Sequence, residues 1–104
     1  AVRAWMQRVR DIGHGSHAEL SADEAIRIAR EATPAALPTD AISSPTGLAA
    51  GQAVIVNAVD YGTDEVAGTL LYEGAEEIII AREDERAGLV HVHFPRFGFR
   101  IRAA

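Results

Sequence analysis

The sequence predicts an α+β fold: two N-terminal helices followed by a five-stranded antiparallel meander curled into a small barrel. Three observations carry that expectation. Before Gly47 the apolar residues recur at helical spacing. After Gly51 they come in short β-branched runs separated by glycine and acidic turns. Between the two regimes lies a stretch rich in Pro, Ser, Thr and Ala, which reads as a connector laid over the surface. The boundaries that follow are a tail helix of an upstream helical domain at 1–13, a linker with one capped helix (21–32) at 14–50, and a small β-barrel-like domain at 51–104. The alternative architecture is an open, twisted sheet with the capped helix packed on one face.

The first helix rests on Val2, Trp5, Met6, Val9 and Ile12, which share one face, while Arg3, Gln7, Arg8 and Arg10 take the other. Gly13 is a natural stop. A lone helix of about twelve residues is marginal in water, so the Trp-bearing stripe needs a partner surface. The helix starts at Ala1 with no capping residue before it. It is therefore expected to end a larger helical domain, with Val2, Trp5, Met6 and Val9 as the interface; the alternative is that the stripe packs on the strand module. His14-Gly15-Ser16-His17 then reads as a solvated loop, because two histidines on a glycine-rich loop without a third ligand hold a metal poorly.

The second helix is the clearest local signal. Ser21 is an N-cap with Glu24 three residues on, a capping box, and Leu20 and Ala25 are placed to staple across it. Asp23 and Glu24 lie at the positive end of the helix dipole, and Arg27 and Arg30 lie toward the negative end. Ala22, Ala25, Ile26, Ala29 and Ala32 form a slim apolar face, and Pro34 stops the helix.

Five strands are expected after Gly51. They are Val54–Val59; Val66–Tyr72, with a bulge or bend at Gly68; Glu77–Arg82; Leu89–Phe94; and a last strand in which Phe97, Phe99 and Ile101 alternate with Arg100 and Arg102. Glu73-Gly74 reads as a tight turn. The expected core is drawn from Val54, Ile55, Val56, Val66, Leu70, Ile78, Ile80, Val90, Val92, Phe94, Phe97, Phe99 and Ile101.

Composition narrows the function. The chain has 104 residues, a formal charge of −5, 48% hydrophobic and 24% charged residues, and no cysteine. The acidic balance argues against bulk nucleic-acid binding and against an anionic membrane surface. The missing thiols exclude disulfides and a cysteine nucleophile. No run approaches a membrane span, so the cytoplasm is the expected compartment. There is no glycine-rich phosphate loop and no Ser–His–Asp set with supporting context. One run bears chemistry: His91-Val92-His93-Phe94-Pro95-Arg96, with Arg100 beyond it. His91 and His93 share a strand face. The first reading places both on the solvated face of an edge or half-buried strand while Val90, Val92 and Phe94 fill the core; the second joins them with Arg96 and Arg100 in a candidate small-ligand or anion site, since local positive charge focuses an anion even in an acidic chain. Nothing in the sequence identifies a third metal ligand beside the histidines, although folding can bring Asp60 or Glu65 near them.

The segment from Ala4-Trp5-Met6-Gln7-Arg8-Val9-Arg10 through Gly15 resembles the end of the helical domain in bacterial glutathione S-transferase-like proteins. The stretch Ser21–Arg30 and the closing Val90–Phe99 resemble an extension that some of those proteins carry after that domain. In that family glutathione and the activating Ser, Tyr or Cys belong to an N-terminal thioredoxin-like domain, which has no counterpart in these 104 residues. The resemblance therefore implies a non-catalytic accessory C-terminal domain, with no cofactor of its own and glutathione as the ligand of the parent protein. Its implied partners are the upstream transferase domains or a second copy.

Overall fold

A computed structural model describes residues 1–40 and 44–104. Two helices, α1 (Val2–Ile12) and α2 (Ala22–Glu31), precede five strands: β1 (Ala53–Ala58), β2 (Val66–Glu73), β3 (Glu77–Asp84), β4 (Gly88–Pro95) and β5 (Phe99–Ala103). All pairings are antiparallel and the order is β4-β3-β2-β1-β5. The α+β class and the five strands agree with the sequence. Closure does not: the sheet is open, with β4 and β5 as its two edges. The last strand leaves the meander and joins β1.

That exchange forces a strong curl. Only Arg96, Phe97 and Gly98 link β4 to β5. Four Cα steps reach at most about 14 Å, whereas the edges of a flat five-stranded sheet lie about 19 Å apart. The sheet must bend until its edges approach. Phe94 of β4 and Phe99 of β5 then meet with ring centroids 5.3 Å apart. The link is pinned on both sides: Arg96 N–H donates to the Glu76 carbonyl at 2.7 Å, and Val59 N–H donates to the Gly98 carbonyl at 3.0 Å.

The core fills the concave side. Val54, Val56, Leu70, Ile78, Ile80, Phe94 and Ile101 are buried there, with Leu48, Val66, Val92 and Phe99 packed against them. Phe97, expected in this set, is 96% exposed. It occupies the link and not a strand, so the period-two alternation begins only at Phe99. The irregularity in β2 falls between Leu70 and Tyr72, not at Gly68. Gly68 is regularly paired with Val54. It is needed for close approach: a Cβ there would lie 2.5 Å from the Ala81 carbonyl oxygen and 2.9 Å from Ile80 Cδ1.

Ser21 caps α2 as expected, accepting from Glu24 N–H at 3.2 Å. The reciprocal half of the box is absent, because the Glu24 carboxylate binds Arg27 at 2.5 and 2.9 Å. Leu20 is exposed and forms no buried staple. Of the slim apolar face, Ile26 and Ala29 are half-buried. The helix lies beside β4 and the β3–β4 turn, where Arg30 donates to the Arg86 carbonyl and Arg86 pairs with Asp23 at 3.1 Å.

No residue of α1 is buried. The radius of gyration is 18.1 Å, against about 13 Å for a compact chain of about 100 residues. Core and helix therefore respond differently to truncation. Phe94→Ala should cost about 3–5 kcal/mol in denaturant unfolding. Trp5→Ala should stay within about 0.5 kcal/mol of the parent, as for an exposed site. An equal loss at Trp5 would place α1 in the core.

Candidate functional site

The four residues singled out from sequence do not converge. His91 and His93 lie on the convex face of edge strand β4, opposite Ala81 and Ile79 of β3. His93 Nδ1 sits 3.1 Å from a Glu77 carboxylate oxygen, on a half-exposed side chain. His91 Nδ1 is buried without a hydrogen-bond partner among the described residues. Arg100 lies on β5, the other edge. Arg96 turns away from the histidines to the concave side, where its Nη2 is 3.4 Å from Glu73 Oε1. The described residues contain no group of three metal-ligating side chains.

The polar cluster that the fold builds is centred on Glu73, which the sequence places in a turn. Glu73 is the last residue of β2, opposite Ile78, and only 1% exposed. The β2 irregularity brings this about, since the extra residue at Leu71 moves Glu73 onto the concave side with Ile78 and Phe94. A buried carboxylate needs partners. One oxygen accepts from the Ser44 and Thr46 hydroxyls, each at 2.7 Å. The other faces Arg96, itself mostly buried. A single side chain thus joins the connector, the sheet and the β4–β5 link. The sequence signal was present but ambiguous: a carboxylate ending an apolar run reads equally well as a turn residue.

Behind it, Tyr72 lies on the convex face next to Ile79, and both are buried. Its ring lies over Gly74, where any Cβ would strike the Tyr72 hydroxyl and come within 2.6 Å of the ring. The hydroxyl donates to Asp40 of the connector at 2.9 Å. That hydrogen bond, then burial, then the charges of Asp40, Glu77 and Glu76, raise the Tyr72 pKa. Glu73 and Tyr72 therefore tie the connector to opposite faces of the same strand.

The stripe on α1 is as the spacing predicts and fully displayed. Val2, Trp5, Met6, Val9 and Ile12 are 49–80% exposed. The other flank holds itself together, with Gln7 donating to Asp11 at 2.7 Å. Two aromatics stand exposed on neighbouring loops: Tyr61, in a turn, at 92%, and Phe97, expected inside, at 96%.

The chain is similar to a GST-like protein from Pseudomonas syringae. That crystal structure superposes with a TM-score of 0.90 over 99% of the chain, at 51% sequence identity. The chain spans 37% of the length of that protein. No protein-family model matches the chain, and no curated protein does so. The similarity covers both helices and the sheet, and it supports a GST-like parent context. No helix among the described residues is long and apolar enough to cross a membrane.

Two consequences of this geometry are measurable. Removing one member of a buried ion pair strands the other charge. Because Arg96 retains some exposure, Arg96→Ala should cost about 3 kcal/mol in urea unfolding, at the low end for such a loss. The paired replacement Glu73→Leu with Arg96→Met should recover most of it. Tyr72 gives a pH dependence. An acid whose pKa rises on folding holds its proton more tightly in the folded state. Its contribution is full below the ordinary tyrosine value of about 10, and it is lost as pH climbs through the folded-state pKa. Melting temperature followed upward from pH 9 should therefore fall more steeply for the parent chain than for Tyr72→Phe.

Proposed function

We propose that the chain is a non-catalytic accessory domain, C-terminal in a GST-like protein, that packs on or regulates the transferase body. The observation that carries this reading is α1: an amphipathic helix whose apolar face is exposed, attached to a sheet that has a core of its own without it. Such a face marks an interaction site. Val2, Trp5, Met6 and Val9 are the contact residues, and the partner is the transferase part of the same protein. The GST-like relative, of which the chain matches only 37%, has ample further sequence to supply that surface. The polar residues of the chain fit a supporting role. Glu73 is held by Ser44 and Thr46 through one oxygen and faces Arg96 with the other, and Tyr72 is bound to Asp40.

Titration calorimetry of the 104-residue chain with glutathione should give no heat of binding. Micromolar binding would overturn the non-catalytic reading. The docking role is tested by Trp5→Asp. In the longer GST-like protein it should lower the melting temperature by several degrees. In the isolated chain it should change stability by no more than about 0.5 kcal/mol. Equal effects in both would remove α1 from the interface.

A further inference from the structure

The sheet forks. Pairing between β2 and β3 ends at Thr69–Ala81. Beyond it, Val66–Gly68 of β2 continue against β1, while Arg82–Asp84 of β3 continue against β4. The two arms leave a groove of about 550 Å³ on the concave side, with α2 across it. Ile26, Val66, Val90, Val92 and Phe94 line it. Ile26, Val66, Val90 and Val92 point toward the core side but stay half-buried. The reason is α2. Its face is mostly alanine, too slim to fill the gap, and polar ties to Arg86 hold the helix at the rim.

Arg82 stands at the mouth. By strand alternation it shares the concave side with Ile80, and Glu83 points to the other side. Among the described residues Arg82 makes no ion pair, whereas Arg86 is engaged by Asp23 and Arg102 by Glu65. Asp84, also on the rim, directs Oδ1 to the N–H groups of Arg86 and Ala87 at 2.9 and 2.8 Å. Asp84 is held below the ordinary carboxylate range first by those N–H groups and then by the nearby charges of Arg82 and Arg86; the groove thus combines an apolar lining with a guanidinium that makes no ion pair among the described residues, in the volume range of small-molecule sites.

We infer that this groove binds a small amphipathic carboxylate, with an apolar body between the arms of the sheet and its single carboxylate on Arg82. Arginine suits this role because its planar fork grips a carboxylate with two hydrogen bonds. The inference is independent of the accessory reading. It uses no residue of α1, and glutathione lacks the apolar body that the groove accepts.

The test uses the full 104-residue chain with decanoate, decanol and decylammonium, followed by calorimetry and by amide shifts in a ¹⁵N-labelled sample. Decanoate should bind tightest and shift Ile26, Val66, Val90 and Val92. Arg82→Gln, an exposed and conservative change, should weaken decanoate at least about tenfold and leave decanol unaffected. Ile26→Ala, which trims the apolar lining and leaves the polar ties of α2 to Arg86 in place, should weaken decanoate and decanol alike by at least about fivefold, and unchanged affinity for both overturns the placement of the apolar body. The proposal is overturned if decanol or decylammonium matches decanoate, or if Arg82→Gln leaves decanoate affinity intact. Absence of shifts at those four residues at millimolar decanoate overturns it equally.

Discussion

The buried carboxylate of Glu73 is the constraint around which the rest of the molecule is arranged. An ionised group at 1% exposure costs several kcal/mol in desolvation unless it is met on all sides. Oε2 accepts from Ser44 and Thr46 of the connector, and Oε1, which has no hydrogen bond among the described residues, is met only by the charge of Arg96 from the β4–β5 link at 3.4 Å. Arg96 belongs to the three-residue link that carries the chain from one sheet edge to the other. Ser44 and Thr46 belong to the connector that brings the helices to the sheet. Each partner is far from Glu73 in sequence, so the contact closes two loops at once. Such pairs contribute little net stability over an apolar replacement. Their effect is to disfavour arrangements in which the link or the connector sits elsewhere, because those arrangements leave a charge stranded.

The curl and the fork follow from one topological fact, the pairing of β5 with β1. A three-residue link cannot span a flat five-stranded sheet, so the edges are drawn together. Bending a sheet this sharply strains its central pairings, and two features of β2 absorb the strain. Its irregularity at Leu70–Tyr72 increases the local twist. Gly68 lets Ile80 and the Ala81 carbonyl approach where β3 begins to diverge. The concave side therefore has a filled part, around Ile78, Ile80 and Leu70, and an unfilled part between the arms. Barrel closure would require β4 to pair with β5, and their residues instead meet through the Phe94 and Phe99 rings.

How much of this was legible follows from which signals are local. The capped second helix, the five strands and most of the core were readable because caps, alternation and turn residues act over a few positions. Val54, Val56, Ile78, Ile80, Phe94 and Ile101 were all placed inside on that basis, and all are buried. The misplacements share a cause. Phe97 was assigned inward by extending the alternation of β5 back across a link that is not a strand. Glu73 was assigned to a turn because the register shift that rotates it inward depends on pairing with β3. Arg96 was grouped with His91 and His93 because they are neighbours in sequence, although its partner lies 23 positions earlier. Strand order, edges and the fork are long-range properties, invisible to any window of ten residues.

The two surfaces singled out lie on separate parts of the fold and obey different physics. The stripe of α1 is a broad apolar face on a helix with no buried residue, and a face of that kind gains by covering area against another folded body. The groove beside β3 is narrow and holds one cation that makes no ion pair among the described residues, so what it gains from an occupant depends on shape and on a single charge. Neither surface uses the Glu73 cluster, which lies along β3 from Arg82 with Ile78 and Ile80 between. Separation has a consequence for coupling. An event on α1 reaches the groove only through residues 13–21 and then through α2, whose ties to the sheet are the polar contacts of Arg30, Arg86 and Asp23. These are exposed, and exposed ion pairs are weak. Arg86 thus joins the helix that roofs the groove to the β3–β4 turn, through its carbonyl to Arg30 and its guanidinium to Asp23.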